Sequence, residues 1–144
     1  MANPDNEAIA RKGFDAFNTG DLSLVDEITA ADAVGHDPAN PDQGTGPEGF
    51  KATVEMYRAG FPDLRMDVDE QISDGEFVVT RWTSRGTHNG ELAGLPPTGR
   101  SITSTGITID KIVGGKVVES WTQWDNLGLM QQLGIGAPAG ATAN

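Results

Sequence analysis

The sequence predicts an α+β domain in which N-terminal helices lie on one face of a curved antiparallel sheet, an arrangement that can close into a cone around an interior pocket. Three observations lead there. Apolar residues recur at helical spacing before Leu64, the texture beyond it turns extended, and Gly-rich turns divide that extended stretch into four strand-like runs ahead of a short final helix. Helices first and a strand meander afterwards is the pattern of a segregated α+β fold.

In the first half, Ala8, Ile9, Gly13, Phe14, Ala16 and Phe17 give residues Glu7 to Asn18 a helical stripe, stopped by Thr19-Gly20. Asp21 caps a short helix through Leu22, Leu24, Val25 and Ile28. Ala33 to Pro38 reads as a brief strand entering a Pro-rich loop that runs to Gly46. Pro47 suits the first turn of a third helix carrying Phe50, Val54, Met56, Tyr57 and Phe61.

In the second half, Leu64 to Ser73 is a strand and Asp74-Gly75 a hairpin turn. Glu76 to His88 is a long strand of Phe, Val, Thr and Trp. Gly90, Gly94, Pro96, Pro97 and Gly99 force a loop, after which Ser101 to Val113 is extended again and Gly114-Gly115 closes the next hairpin. The last strand runs from Gly115 and ends on the carboxylate of Asp125, followed by a helix through Leu133. Residues 1–135 form one domain, and the Gly/Ala/Pro-rich stretch 136–144 is expected to be a mobile tail.

The 144 residues suffice for one core without staples, and the absence of cysteine excludes thiol catalysis, zinc ribbons and disulfide scaffolds. With 21 acidic and 10 basic side chains the formal charge is −11, which repels phosphate backbones and anionic lipid, so neither nucleic acid nor membrane is an expected partner. No basic-then-apolar leader opens the sequence, and a cytoplasmic protein is expected. His36 and His88 stand far apart with no acidic pair at ligand spacing, so no metal site is expected. The loop Gly94 to Gly99 lacks a phosphate cradle's strand–turn–helix setting and its lysine; it suits a lid or a dimer contact.

The most informative segment is Ser120-Trp121-Thr122-Gln123-Trp124-Asp125. Strand side chains alternate, so Trp121, Gln123 and Asp125 share one face: an aromatic wall, an amide and an acid. Desolvation beside the tryptophans would raise that carboxyl toward the range of a general base. Asp125 also stands where a helix N-cap belongs, and the two roles can coexist.

Four runs, Tyr57 to Leu64, Arg81 to Gly90, Gly94 to Gly99 and Trp121 to Leu129 with Gln132-Leu133-Gly134, together resemble the SnoaL-like polyketide cyclase (ester cyclase) family. The resemblance covers roughly residues 7 to 135. It implies the ketosteroid-isomerase-like cone, a homodimer through the convex sheet face, and a reaction without metal or cofactor. It further implies an intramolecular aldol ring closure on a hydrophobic, polyketide-like carbonyl compound, with Asp125 as acid/base. Some members carry a histidine on the preceding strand, whereas Ser101 to Ile109 here holds only Ser, Ile, Thr and Gly.

The residue readings around that chemistry keep alternatives open. His36, at a pocket rim, or His88 is the polar partner of Asp125, or is held in a turn by local hydrogen bonds. Arg81 either orients Asp125 and steadies an oxyanion or forms an exposed ion pair. Tyr57 is a core residue with its hydroxyl at the pocket wall. Trp82, Trp121 and Trp124 are wall residues or packing residues, and Gln123 joins Trp82 and Trp121 in contacting substrate. Thr80, Trp82, Ser84, Gly86 and His88 share one strand face and Val79, Arg81, Thr83 and Arg85 the other, with polar groups on both. Two rival functions use the same pocket: hydrolysis or isomerisation of a small hydrophobic substrate, and non-catalytic binding of a small molecule.

Overall fold

The computed structural model describes residues 1–135; the expected tail at 136–144 lies outside the described residues. Helix α1 (Pro4–Thr19) starts one turn earlier than its apolar stripe because Asn3 caps it, accepting from the Asn6 N–H at 3.2 Å, with Pro4 in the first turn. It ends on Gly20, whose φ of 76° lets the N–H reach Ala16 O. Helix α2 (Ser23–Ile28) follows a turn in which Asp21 accepts from the Ser23 N–H and Oγ–H. It runs straight into β1 (Thr29–His36). Helix α3 (Gly46–Gly60) has Pro47 in its first turn, as the sequence suggests.

The remaining elements are β2 (Arg65–Asp74), β3 (Phe77–Thr87), β4 (Ser101–Val113), β5 (Lys116–Trp124) and α4 (Asn126–Gln132). The meander β2-β3-β4-β5 is antiparallel throughout, and β1 adds a fifth strand parallel to β5, giving the order β1-β5-β4-β3-β2. β1 begins four residues before the segment legible as a strand. Thr29-Ala30-Ala31-Asp32 has no two-residue alternation of its own, and its extended form comes from the edge of β5, where Thr29 pairs with Val117 and His36 with Trp121.

Pairing also decides which face looks inward. On β3 the even-numbered residues Val78, Thr80, Trp82, Ser84 and Gly86 are buried, while Phe77, Arg81 and Arg85 are exposed. The same parity holds on β4, where Ile102, Ser104, Gly106, Asp110 and Ile112 are buried. The concave face packs on the helices through Phe14, Phe61, Leu64, Met66, Trp82, Ile102, Leu129 and Leu133. Gly106 lies between Trp82 and Trp124 in the cross-strand row. A Cβ there would stand 2.3 Å from Trp82 Cζ2 and 2.7 Å from Trp124 Cβ, so only glycine lets both indoles close over β4.

Candidate active site

The concave sheet and the helices enclose a largely apolar cavity of about 160 Å³. Phe14 and Phe17 of α1, Ile28 of α2, and Phe50, Thr53 and Tyr57 of α3 form its helical wall. The sheet supplies Trp82 and Ser84 from β3, Ser104, Thr108 and Asp110 from β4, and Ser120, Thr122 and Trp124 from β5. Asp37 and Gln43, from the segment between β1 and α3, complete it.

The inward residues of β5 are therefore Ser120, Thr122 and Trp124, which corrects the expected pocket face of Trp121, Gln123 and Asp125. Thr122 pairs with inward-facing Thr108, and that register turns its odd-numbered neighbours outward. Asp125 is exposed and caps α4, its Oδ1 accepting the Gly128 N–H at 2.8 Å. Gln123 lines a shallow depression with Asp37, Pro38 and Asn126. Trp121 stacks on the His36 ring, with centroids 5.6 Å apart.

The histidines and Arg81 also sit differently from their expected roles. His36 reaches the cavity mouth, but its Nε2 bonds to Glu119 Oε2 at 2.7 Å and its ring is committed to Trp121. The structure brings neither His36 nor His88 to Asp125 as a polar partner. His88 is fully buried outside the cavity lining, where its Nδ1 accepts the Thr98 N–H at 3.2 Å and meets Thr98 Oγ1 at 3.0 Å. It thereby ties down the loop between β3 and β4. Arg81 projects from the convex face toward Asp69 and Glu70, 3.6 Å from each, and is the exposed ion pair. Tyr57 and Trp82 do line the cavity.

Two carboxyl groups that the sequence reading passed over face the interior. Asp37 follows β1, and both its oxygens receive the Trp124 indole N–H, at 3.2 and 3.1 Å, while Oδ1 also accepts the Ala39 N–H at 2.9 Å. The Tyr57 ring meets the Trp124 ring edge-on at 6.1 Å. Burial, reinforced by the negative charge of Asp37, pushes the Tyr57 hydroxyl up to about 12, so it stays a neutral donor beside that carboxylate.

Asp110 lies further along the sheet, opposite Ser120, and is only 8% exposed. Burial pushes its carboxyl up to about 7. Its signal in the sequence was its parity, since an acid continues the inward series Ile102, Ser104, Gly106 and Thr108. Between the two acids the facing pair is Thr108 and Thr122, whose hydroxyls are 3.2 Å apart and which offer no titratable group at neutral pH.

The model of the family described as SnoaL-like polyketide cyclase matches residues 8–133. The chain belongs to that family. Among relatives of this SnoaL-like protein, nogalonic acid methyl ester cyclase of Streptomyces nogalater is 34% identical over 122 residues, covering 83% of this chain and 90% of that one. Aklanonic acid methyl ester cyclase of Streptomyces peucetius is 30% identical, covering 88% of each. The crystal structure of wild-type IdmH from Streptomyces antibioticus superposes with a TM-score of 0.75 at 36% identity, covering 90% of this chain and 99% of that one. TsrD of Streptomyces laurentii superposes with a TM-score of 0.83 at 26% identity, covering 93% and 98%. These SnoaL-like matches confirm the expected family and fold.

Proposed function

We propose that the protein is a cyclase that closes a ring in a polyketide-like carbonyl compound by intramolecular aldol chemistry, with Asp37 as the base. The observation that carries this reading is the Asp37 carboxylate at the mouth of an apolar cavity, held by the Trp124 indole N–H beside the neutral Tyr57 hydroxyl.

Aldol closure needs a group to take a proton from a carbon flanked by carbonyls and a donor for the oxyanion that forms. Asp37 accepts the C–H proton and becomes a neutral acid. The electron pair passes to the carbonyl oxygen, where the Tyr57 O–H donates to the enolate. The enolate carbon then attacks a second carbonyl of the same molecule, and the new alkoxide takes the proton back from Asp37. No electron is gained or lost, so base and donor suffice and the proposed reaction is cofactor-independent. The apolar walls hold the chain folded, which supplies the proximity that ring closure requires.

The named activities of the two Streptomyces relatives support a methyl ester of a polyketide acid as the substrate class. The test is to incubate the protein with nogalonic and aklanonic acid methyl esters and follow the cyclised product by chromatography. Turnover that falls at least about 100-fold in Asp37→Asn is the expected result. Equal turnover in that variant, or none in the wild type, overturns the proposal.

A second reading, a binding module for the same compounds, is favoured by the Thr108–Thr122 pair, which leaves the middle of the cavity without an acid or base. Tight ligand binding with no product in the same experiment would select it. The dimer belongs among these proposals as well. Ile107 stands exposed on the convex face, where a second subunit would cover it, and light scattering on the purified protein decides the point.

A further inference from the structure

The Asp110 carboxyl has no role in the chemistry above, yet it is the most conspicuous polar group inside the molecule. It is only 8% exposed, lines the cavity, and makes no hydrogen bond with any described residue. Its surroundings are apolar. Val78 lies directly opposite on β3, and Val78 and Ile112 cluster with Ala10 of α1 and with Val117. Trp124, which holds Asp37, is four residues along β5 from Ser120, the partner of Asp110. At strand spacing that separates the two ends of the cavity by roughly 13 Å. An unpartnered buried carboxyl costs stability, so nothing in the packing of this fold accounts for it.

We infer that Asp110 forms a recognition subsite at the inner end of the cavity, where its carboxyl hydrogen-bonds a neutral oxygen of the ligand, a ketone or a phenolic hydroxyl. This inference rests on the proposed function and names the feature of the substrate that sets its direction in the cavity. A neutral carboxyl both donates and accepts, so it serves either oxygen type. A ligand carboxylate would repel the ionised form. An ammonium group would bring three donors to a place whose nearby polar side chains, Ser120 and Thr108, are uncharged hydroxyls, and would require both charges to be desolvated. With the polar end of the ligand on Asp110, its opposite end lies at Asp37, so Asp110 acts as a positioning residue for the reacting carbon.

The test compares the binding of naphthalene, 2-acetylnaphthalene, 2-naphthol and 2-(aminomethyl)naphthalene to the wild type, Asp110→Leu and Asp37→Asn by calorimetry. The wild type should bind the ketone and the naphthol about tenfold more tightly than naphthalene, the worth of one hydrogen bond. Asp110→Leu should bring those ratios to within about twofold, and Asp37→Asn should leave them unchanged. Asp110→Val serves if the leucine variant does not fold. The inference is overturned if the apolar variants keep the preference, if the amine is the tightest ligand, or if none of the four binds. A preference that depends on Asp110 in a protein without turnover would sink the cyclase reading and leave the subsite standing. Turnover with no such preference would do the reverse.

Discussion

The Trp124 indole N–H reaches both oxygens of Asp37, at 3.2 and 3.1 Å, and so joins the last strand of the sheet to the segment that leaves the first. The contact fixes the place of the carboxyl at the cavity mouth.

If that geometry serves catalysis, Trp124→Phe should keep the wall and lose the donor. We expect turnover of the methyl ester substrates to fall by about 10-fold or more, the worth of one charge-assisted hydrogen bond. Thermal stability should fall much less than in Trp124→Ala. Steady-state rates alongside melting curves check both halves.

Asp125→Ala removes a helix cap and nothing from the cavity. It should cost about 1 kcal/mol of stability, measured by urea unfolding, with turnover within about twofold of wild type. A loss comparable to that of Asp37→Asn would return the catalytic role to Asp125.

Gly106→Ala puts a Cβ within 2.3 Å of the Trp82 ring. Overpacking of this kind costs about 1–3 kcal/mol. Because Trp82 and Trp124 both line the cavity, ligand affinity should fall with stability. Urea unfolding and ligand calorimetry on the same preparation check this.

Asp110 predicts a pH dependence of stability with a definite sign. Its carboxyl is raised to about 7 in the folded protein, so between about pH 4 and 7 the native state holds a proton that the unfolded chain releases. Stability from this group is fully present below about pH 4, falls as pH rises, and levels off above about 7. The total effect is on the order of 4 kcal/mol. Asp110→Asn should flatten that segment of the curve and raise the melting temperature at pH 8. Melting curves from pH 4 to 8 for both proteins test it, and parallel curves would contradict it.

Much of the fold was legible because it is written locally. The stripe of Phe14 and Phe17, the glycine stop at Gly20, Pro47 in the first turn of α3 and the Asp74-Gly75 turn act over one or two turns of chain. The family, too, was readable from four short runs. Tyr57 and Trp82, which line the cavity, each belong to an element whose type the sequence makes plain.

The remaining site residues depended on information that no local stretch carries. Strand β5 and the residue after it illustrate this: Ser120, Thr122 and Trp124 alternate with Trp121, Gln123 and Asp125, and both sets combine aromatic and polar groups. Hydrophobic contrast could not choose between those faces. The register of β5 against β4, where Thr122 meets Thr108, made the choice and turned Asp125 outward to cap α4. Likewise Thr29-Ala30-Ala31-Asp32 became a strand only by pairing with β5, and that pairing leaves Asp37 beside Trp124. By itself, then, the sequence determined the fold class and most of the elements, which rest on periodicity and turn chemistry, and the family, which rests on four short runs. Only the tertiary structure decided which carboxyls face the cavity, because strand parity acquires a direction when a neighbouring strand and the helices above it define the inside.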